Sequence, residues 1–236
     1  MTYIEKFNYP TVTSESTSDK GRIYFIEHNN KKYEAGLPSV TTIISSQDTE
    51  TKEAIKRWRN NIGIDKANEI TKQSTDVGTM MHDILYYSLI GKPIKSKFNS
   101  FIQDLAHNMA DKITKEFLNP HLTEIWGAEV PLFVPNMYAG RVDLVGIYKG
   151  VPSIIDFKNS RKEKSLEHMQ NYFIQEAAYG TAHNFLFNTE IKQAVTLVAQ
   201  RLPHDVVPKE VIIKGDEFAE YQSKWLTMVK NYHKIQ

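Results

Sequence analysis

GRVDLVGIYKGVPSIIDFKNS, residues 140–160, predicts a β-hairpin at the centre of the fold. Lys149-Gly150 supplies a two-residue turn of the kind that joins antiparallel strands, and β-branched residues are frequent on both sides of it. The register set by this turn places Asp143 directly opposite Asp156 on one face of the hairpin. Like charges that face each other across two strands are destabilising, so a positive charge must offset this pair.

The setting of the two aspartates favours a bound cation. Apolar residues fill both faces of each strand, which predicts a central position in a sheet and partial burial of the carboxylates. Two unpaired buried carboxylates would raise the pKa of one of them strongly, whereas Mg²⁺ binds one or two carboxylates and keeps water for a phosphate to displace. Lys158 shares a face with Asp156 because strand side chains alternate. The pattern predicts a site for phosphodiester hydrolysis. The alternative interpretation is that both aspartates are solvated at the ends of their strands and that Lys158 only pairs with them.

Length and composition limit the classes of function. The 236 residues are 41% apolar and 24% charged, as expected for one soluble globular domain. The sequence has no cysteine, which excludes disulfides, a thiol nucleophile and a cysteine-ligated zinc or iron–sulfur site. The formal net charge is only +1, so binding to nucleic acid would have to depend on a local basic patch.

The sequence also carries expectations about location. No apolar run has the roughly 18–20 residues needed to cross a bilayer, so we expect no membrane association. The first residues, MTYIEKFNYP, lack the basic and apolar regions of a secretory signal. Glu5, Glu15 and Asp19 argue against a mitochondrial transit peptide, which would contain few acids. The expected location is therefore the cytoplasm of a bacterium or of a phage-infected host cell.

Periodicity and turn residues predict an α/β fold with a mixed central β-sheet flanked by helices and preceded by a helical segment. The predicted elements are an irregular segment at 1–20, a hairpin turning at Asn29-Asn30, a short helix capped by Ser39, a broken helix at 51–90, a helix at 101–118, strands at 124–135, 138–148 and 151–157, a helix at 165–187, strands at 191–200 and 208–214, and a helix at 216–234. We expect a single domain at 1–236, divided into a polar segment and hairpin at 1–35, a mainly helical segment at 36–122 and a catalytic α/β core at 123–236.

Four short motifs occur in an order and spacing that extend over residues 36–200. They are Gly78–His82 (GTMMH), Gly140–Asp143 (GRVD), Asp156–Lys158 (DFK) and Gln175–Tyr179 (QEAAY), with Leu37–Thr42 (LPSVTT) before them. Together they resemble the PD-(D/E)XK nuclease superfamily. The similarity is to its RecB-like branch, which includes the mitochondrial genome maintenance exonuclease and related phage exonucleases. Gly-Arg-Val-Asp stands where the superfamily name has Pro-Asp.

This resemblance implies a restriction-endonuclease-like core and assigns roles to single residues. The implied metal ligands are His82, Asp143, Asp156 and the carbonyl of Phe157, for Mg²⁺ or Mn²⁺. The implied catalytic residues are Asp143, Asp156, Lys158, Gln175, Tyr179 and Glu129. Gln175 and Tyr179 lie four residues apart on a predicted helix and therefore share a face. The alternatives remain a structural histidine on a helix and a buried tyrosine beside a capping or solvated glutamine. For Glu129, they are Glu124 in its place or a solvated glutamate on the face of a strand.

Two basic clusters could bind a nucleic-acid strand. Positive side chains neutralise phosphates and aromatic rings stack on bases, which is how single strands are bound without sequence preference. The first cluster places Trp58 among basic residues. The sequence is equally compatible with a solvated helix whose Trp58 lies in the core. The expected DNA-binding residues of the two clusters and of the strand before Asp143 are Arg57, Trp58, Arg59, Arg161, Lys162, Lys164 and Arg141.

The sequence therefore predicts a Mg²⁺- or Mn²⁺-dependent deoxyribonuclease without an iron–sulfur cluster. By resemblance, we expect an exonuclease that prefers single-stranded DNA ends and serves DNA repair, replication or recombination. The absence of a transit peptide suggests a bacterial or phage origin. One alternative is a structure-specific endonuclease that trims flaps or junctions. Another is a DNA-binding recombination module without catalytic activity. DNA, single-stranded by preference, is the expected partner, and the sequence does not reveal whether the chain has protein partners.

Overall fold

A computed structural model describes residues 1–18 and 21–235 of the chain. The strands are β1 (Thr2–Tyr3), β2 (Thr11–Ser18), β3 (Gly21–His28), β4 (Lys31–Pro38), β5 (Leu122–Val134), β6 (Tyr138–Tyr148), β7 (Val151–Ser160), β8 (Gln193–Arg201) and β9 (Val206–Lys214). The helices are α1 (Val40–Gln47), α2 (Thr49–Ile62), α3 (Ile64–Leu89), α4 (Ser100–Ile113), α5 (Asn119–His121), α6 (Gln170–Phe187) and α7 (Asp216–His233), with a π-helical turn at Thr114–Leu118 and a 3₁₀ turn at Glu167–Met169.

Six strands form the central sheet in the order β1-β5-β6-β7-β8-β9. The pairs β1–β5 and β7–β8 are parallel, and the other neighbours are antiparallel. The prediction of a mixed α/β fold with a central sheet flanked by helices is therefore confirmed, and β6 and β7 lie in the middle of the sheet. No helix among the described residues is long and apolar enough to span a membrane.

The hairpin of β6 and β7 has the predicted turn and register. Lys149 and Gly150 both have positive φ angles, 49° and 78°, which match the right-handed twist of the flanking strands. The strands pair from Tyr148 and Val151 at the turn to Leu144 and Ile155. Asp143 and Asp156 are the next residue on each strand, so they lie side by side where the ladder ends.

Helices cover both faces of the sheet because each face is apolar. On one face, α1, α6 and α7 bury a core that includes Phe173, Tyr138 and Trp225. On the other, α3 and α4 bury a second core that includes Met81 and Met109. β6 and β7 contribute to both cores, and this double burial explains why their sequences are apolar on both sides of the chain.

A second, three-stranded sheet in the order β2-β3-β4 corrects the prediction for the first residues. Residues 1–20 were expected to be irregular, but Thr11–Ser18 forms a strand that pairs antiparallel with β3. Its polar sequence, TVTSESTS, carries little strand signal. The strand forms because β3 supplies hydrogen-bond partners, and this depends on an interaction between separate segments.

Ser39 joins the small sheet to the central one. Its side chain caps α1 by accepting a hydrogen bond of 3.0 Å from the backbone N–H of Thr42, as predicted. The same residue forms a parallel bridge with Ala139 at the start of β6. The small sheet is thus fixed to the strand that carries Asp143.

Truncation of a buried leucine on β6 tests the double burial of this strand. Leu144 is fully buried. We expect Leu144→Ala to lower the free energy of unfolding by about 3 kcal/mol because it leaves a cavity in the α3–α4 core. Leu226→Ala, at a position that is 50% exposed on α7, should change it by less than about 0.5 kcal/mol. Equal losses in urea denaturation would contradict the burial of β6.

Candidate functional site

Helix α3 approaches the end of β7 closely enough to place a histidine over the aspartates. Asn159 donates a 3.0 Å hydrogen bond from Nδ2 to the carbonyl of Ser74 on α3. A Cβ atom at Gly78 would lie 3.0 Å from Oδ1 of the same asparagine, so a glycine permits this contact. One helical turn later, His82 points at the hairpin. The GTMMH motif therefore has a local physical explanation.

His82, Asp143 and Glu129 form a compact cluster. Nδ1 of His82 is 3.4 Å from Oδ1 of Asp143 and 3.9 Å from Oε1 of Glu129. One ligand atom from each residue lies within 4.8 Å of the others. Each side chain is partly buried. The structure thus brings together the histidine, one of the two aspartates and the glutamate that the sequence singled out.

Glu129 reaches this cluster through an unusual backbone conformation. Its φ angle is +51° within β5, whereas a non-glycine residue in a strand ordinarily has a strongly negative φ. Such a conformation costs roughly 1–2 kcal/mol and persists only where its surroundings enforce it. Glu124, the alternative acid, instead accepts a 2.7 Å hydrogen bond from Nε1 of Trp126. The geometry favours Glu129.

Asp156 and Lys158 form an ion pair beside the cluster. The ammonium contacts Oδ2 of Asp156 and also lies 5.0 Å from the ring centroid of Tyr172 on α6. Burial raises the pKa of Asp156 to about 6, with Lys158 opposing and Asp143 adding to the rise. Burial lowers the pKa of Lys158, but the two aspartates raise it by more, so the lysine remains a cation.

The charges of His82 and Asp143 depend on each other. Burial lowers the pKa of His82, but the facing carboxylate raises it by more, to about 10. Burial raises the pKa of Asp143, but His82 and Lys158 lower it by more, so its net pKa lies below the usual range. Oδ2 of Asp143 also accepts a 2.7 Å hydrogen bond from the backbone N–H of Phe157. Asp143 is therefore an ionised acceptor held in one orientation.

Gln175 and Tyr179 share a face of α6, as the spacing predicted. Nε2 of Gln175 lies 3.3 Å from the hydroxyl of Tyr179, to which it donates. Both line a cleft with His82 and Asp143. A Cβ atom at Gly140 would lie 2.5 Å from the ring of Tyr179, so the glycine that begins the GRVD motif makes room for this tyrosine.

Glu176, between these two residues, is a buried acid that sequence reasoning missed. Oε1 accepts a 2.5 Å hydrogen bond from the hydroxyl of Thr196, while Oε2 has no hydrogen-bond partner among the described residues. Burial, with a smaller contribution from Asp156, raises the pKa of Glu176 well above its ordinary value. A signal was present: Glu176 falls on the helix face of Phe173 and Gly180, which is buried.

Two adjoining clefts open onto the cluster. The first, of about 600 Å³, is lined by residues of α3 that include Thr79, Tyr86 and Tyr87. The second, of about 420 Å³, extends toward Gln175 and the small sheet. The residues common to both are Arg22, His82, Glu129 and Arg141. One continuous groove therefore crosses the cluster, and it has an acidic floor with arginines at its rim.

The expected DNA-binding residues fall into two groups. Arg141 lines the groove, and Arg161 lies beside α3, where Nη1 donates a 3.0 Å hydrogen bond to Gln73. The ammonium of Lys164 is 5.6 Å from the ring centroid of Tyr172, the ring that Lys158 also approaches. Lys162 follows the end of β7, and its backbone N–H donates to the hydroxyl of Ser160.

The other group lies on α2, a helix that packs against α3 and buries none of its residues. Among the described residues, those that line the groove do not include Arg57, Trp58 or Arg59. Trp58 is 37% exposed, so the alternative of a core tryptophan is wrong. Arg57 pairs with Glu53, and Arg59 donates to Asn68.

The donor atoms of the cluster suit a hard divalent cation. One imidazole nitrogen and two carboxylates are near enough to one another to share an ion. Carboxylates are ligands that Mg²⁺ and Mn²⁺ prefer, and thiolates, which would favour softer metals, are absent from the sequence. The residues present therefore fit such an ion, with Asp156 adjacent.

Comparison with known proteins gives a distant likeness of fold. No protein-family model and no curated protein matches the sequence. A solved structure from Eubacterium rectale, described as a “Putative exonuclease”, matches with 16% identity and a TM-score of 0.49 over 69% of this chain and 66% of that one. The protein SSO0001 matches with 19% identity and a TM-score of 0.33 over 69% of this chain and 75% of that one. At these values a function has to be argued from the residues themselves.

The buried acid Glu176 gives a pH-dependent prediction. Because burial raises its pKa, Glu176 keeps its proton to a higher pH in the folded protein than in the unfolded chain. Between these two pKa values, rising pH lowers the free energy of unfolding by up to about 1.4 kcal/mol per pH unit. Glu176→Gln removes this loss. Urea denaturation from about pH 5 to about pH 8 should show the variant gaining stability relative to the wild type.

The control is Glu220→Gln, which removes an exposed glutamate that pairs with Lys224. It should leave the pH dependence unchanged. The altered hydrogen bonding of Glu176→Gln also changes its free energy of unfolding by an amount that does not depend on pH. This constant difference does not affect the comparison of how the free energy of unfolding changes with pH. Parallel stability curves for the wild type and Glu176→Gln would show that Glu176 is ionised in the folded protein.

Proposed function

We propose that this protein is a Mg²⁺- or Mn²⁺-dependent deoxyribonuclease of the PD-(D/E)XK type. The observation that carries the proposal is the convergence of His82, Glu129 and Asp143 beside the Asp156–Lys158 ion pair at the end of the central hairpin. Structural ion pairs are common, but a metal-ligand set that lines a groove and adjoins a buried aspartate–lysine pair is an arrangement suited to phosphoryl chemistry.

The acidic residues would hold the cation, and the backbone of Phe157 would fix the orientation of one of their carboxylates. When bound, Mg²⁺ or Mn²⁺ supplies Lewis acidity toward the scissile phosphate and lowers the pKa of a coordinated water. Asp143, Glu129 and His82, once its imidazole has lost its proton, are placed to bind it, with Asp156 beside them. The backbone N–H of Phe157 holds the carboxylate of Asp143 in orientation. The carbonyl of Phe157 remains a predicted ligand.

Lys158 would act as a cation rather than as a base. Burial lowers its pKa, but the two aspartates raise it by more, which favours the protonated ammonium. An ammonium in a partly buried site stabilises negative charge that develops on phosphoryl oxygens as water adds and the P–O bond breaks. Gln175 and Tyr179 present an amide and a hydroxyl to the same groove and would position the strand.

The choice of an exonuclease with a preference for single-stranded ends depends on the motif resemblance to the RecB-like branch. A groove with arginines at its rim and half-buried tyrosines on one wall, Tyr86 and Tyr87, supports binding of an unpaired strand, because exposed bases can stack on aromatic rings. A structure-specific endonuclease would use the same catalytic residues. Only the response to strand ends separates the two activities.

Removal of the lysine tests the activity. We expect the wild-type protein with Mg²⁺ or Mn²⁺ to degrade end-labelled linear single-stranded DNA, and EDTA to stop it. Lys158→Ala should lower the rate by at least about 100-fold because the transition state loses its cation. Lys224→Ala, which removes a lysine from an ion pair on α7, should retain the wild-type rate.

A covalently closed single-stranded circle serves as the second substrate. Resistance of the circle would establish an exonuclease, and cleavage of it an endonuclease. Circular dichroism would verify that each variant is folded. Metal-dependent cleavage that persists in folded Lys158→Ala would overturn the catalytic assignment of the lysine.

The two glutamates of β5 provide a matched test of the metal ligands. Glu129→Gln should weaken binding of Mn²⁺ by about tenfold or more, because a charged ligand is replaced by a neutral amide. Glu124→Gln should have little effect, because that side chain is hydrogen-bonded to Trp126. Titration of Mn²⁺ by electron paramagnetic resonance measures both. Weaker binding in Glu124→Gln alone would reverse the assignment.

A further inference from the structure

Arg22 reaches the groove from the small N-terminal sheet, far in sequence from every motif. It lines both clefts, together with His82, Glu129 and Arg141. Its side chain is 51% exposed, so the guanidinium is accessible from the groove. Arg22 and Arg141 thus place two cations around an acidic floor, and only Arg141 lies on the catalytic hairpin.

The backbone of Arg22 is held in place by the start of α1. Its N–H donates a 2.9 Å hydrogen bond to the hydroxyl of Thr42, and its carbonyl accepts a 2.9 Å bond from the N–H of Ser39. Ser39 in turn bridges to Ala139 on β6. The LPSVTT segment therefore connects Arg22 to the strand of Asp143. A side chain anchored in this way loses little further backbone freedom when it binds a ligand.

Within the protein, the guanidinium is paired with a surface acid. Nε of Arg22 lies 2.9 Å from Oε1 of Glu15 on β2, and Glu15 also lines the second cleft. Nη1 contributes a weak 3.4 Å hydrogen bond to the hydroxyl of Tyr24. Exposed ion pairs of this kind contribute little free energy, about 0–1 kcal/mol. A phosphate can therefore compete with Glu15 for the arginine.

We propose that Arg22 forms a phosphate-binding subsite for the substrate strand beside the acidic cluster, and that Glu15 competes with that phosphate. This inference rests on the proposed function, since it assigns a further contact to the same groove. A guanidinium binds phosphate oxygens with two parallel N–H bonds and so fixes the path of the backbone. The small sheet is then one wall of the substrate groove, opposite α3.

Binding of a short fluorescein-labelled oligothymidylate in EDTA tests the subsite without cleavage. We expect Arg22→Gln to weaken binding about fivefold to tenfold. It should also reduce the slope of log affinity against log salt concentration by about 0.7, the value for one phosphate contact on a single strand. The substitution leaves the backbone contacts of Arg22 intact, and circular dichroism verifies folding.

A double-variant cycle tests the competition. Glu15→Gln should tighten binding by at least about twofold in the wild-type background and have no effect when Arg22 is already glutamine. If the tightening persists without Arg22, Glu15 acts through its general negative field and the competition is refuted. Lys224→Gln and Glu220→Gln break a comparable exposed ion pair on α7 and should leave affinity and salt slope unchanged.

The outcomes separate this inference from the proposed nuclease activity. Wild-type cleavage with unaltered binding by Arg22→Gln would overturn the subsite and leave the nuclease standing. Arg22-dependent binding without metal-dependent cleavage would support the subsite and overturn the nuclease. A wild-type protein that neither binds nor cuts the strand would refute both.

Discussion

The arrangement of acids at the end of the central hairpin is the constraint on which the site depends. Asp143, Asp156 and Glu176 lie near one another in a poorly solvated region, where each charge raises the cost of the next. The chain resolves this in three ways. His82 faces the first acid, Lys158 pairs with the second, and burial raises the pKa of the third and so favours its neutral form. Such a cluster costs free energy to bury, and this cost is a physical reason to propose a chemical role for it.

The surrounding fold supplies this compensation from elements that are distant in sequence. α3 brings the histidine because Gly78 and Asn159 allow it to pack closely against β7. α6 brings a tyrosine that approaches Gly140, and this helix packs on the face of the sheet opposite α3. Two glycines therefore mark the places where a helix meets the hairpin. Their role is close approach, not flexibility, and this explains their position within the motifs.

The sequence predicts what local rules control. The turn at Lys149-Gly150 fixes the register of the hairpin, and hence the neighbouring aspartates, because a two-residue turn leaves no freedom in the pairing. Helical spacing likewise placed Gln175 and Tyr179 together. β2, the conformation of Glu129 and the position of Arg22 escaped prediction. Each depends on contacts between separate segments, and a polar strand or a left-handed residue inside a strand has no local signature.

The groove also explains why a net charge of +1 is compatible with binding to DNA. Its rim carries Arg22 and Arg141, whereas its floor is acidic and repels a phosphodiester unless a cation lies between them. If the floor binds a divalent ion, the ion removes the repulsion that the acids exert on the strand. The strand in turn neutralises the arginines, which would otherwise repel the ion. Linkage then requires that the ion tighten binding of the strand by the same factor as the strand tightens binding of the ion. Affinity and catalysis would thus depend on one local balance of charge, which the average composition of the chain conceals.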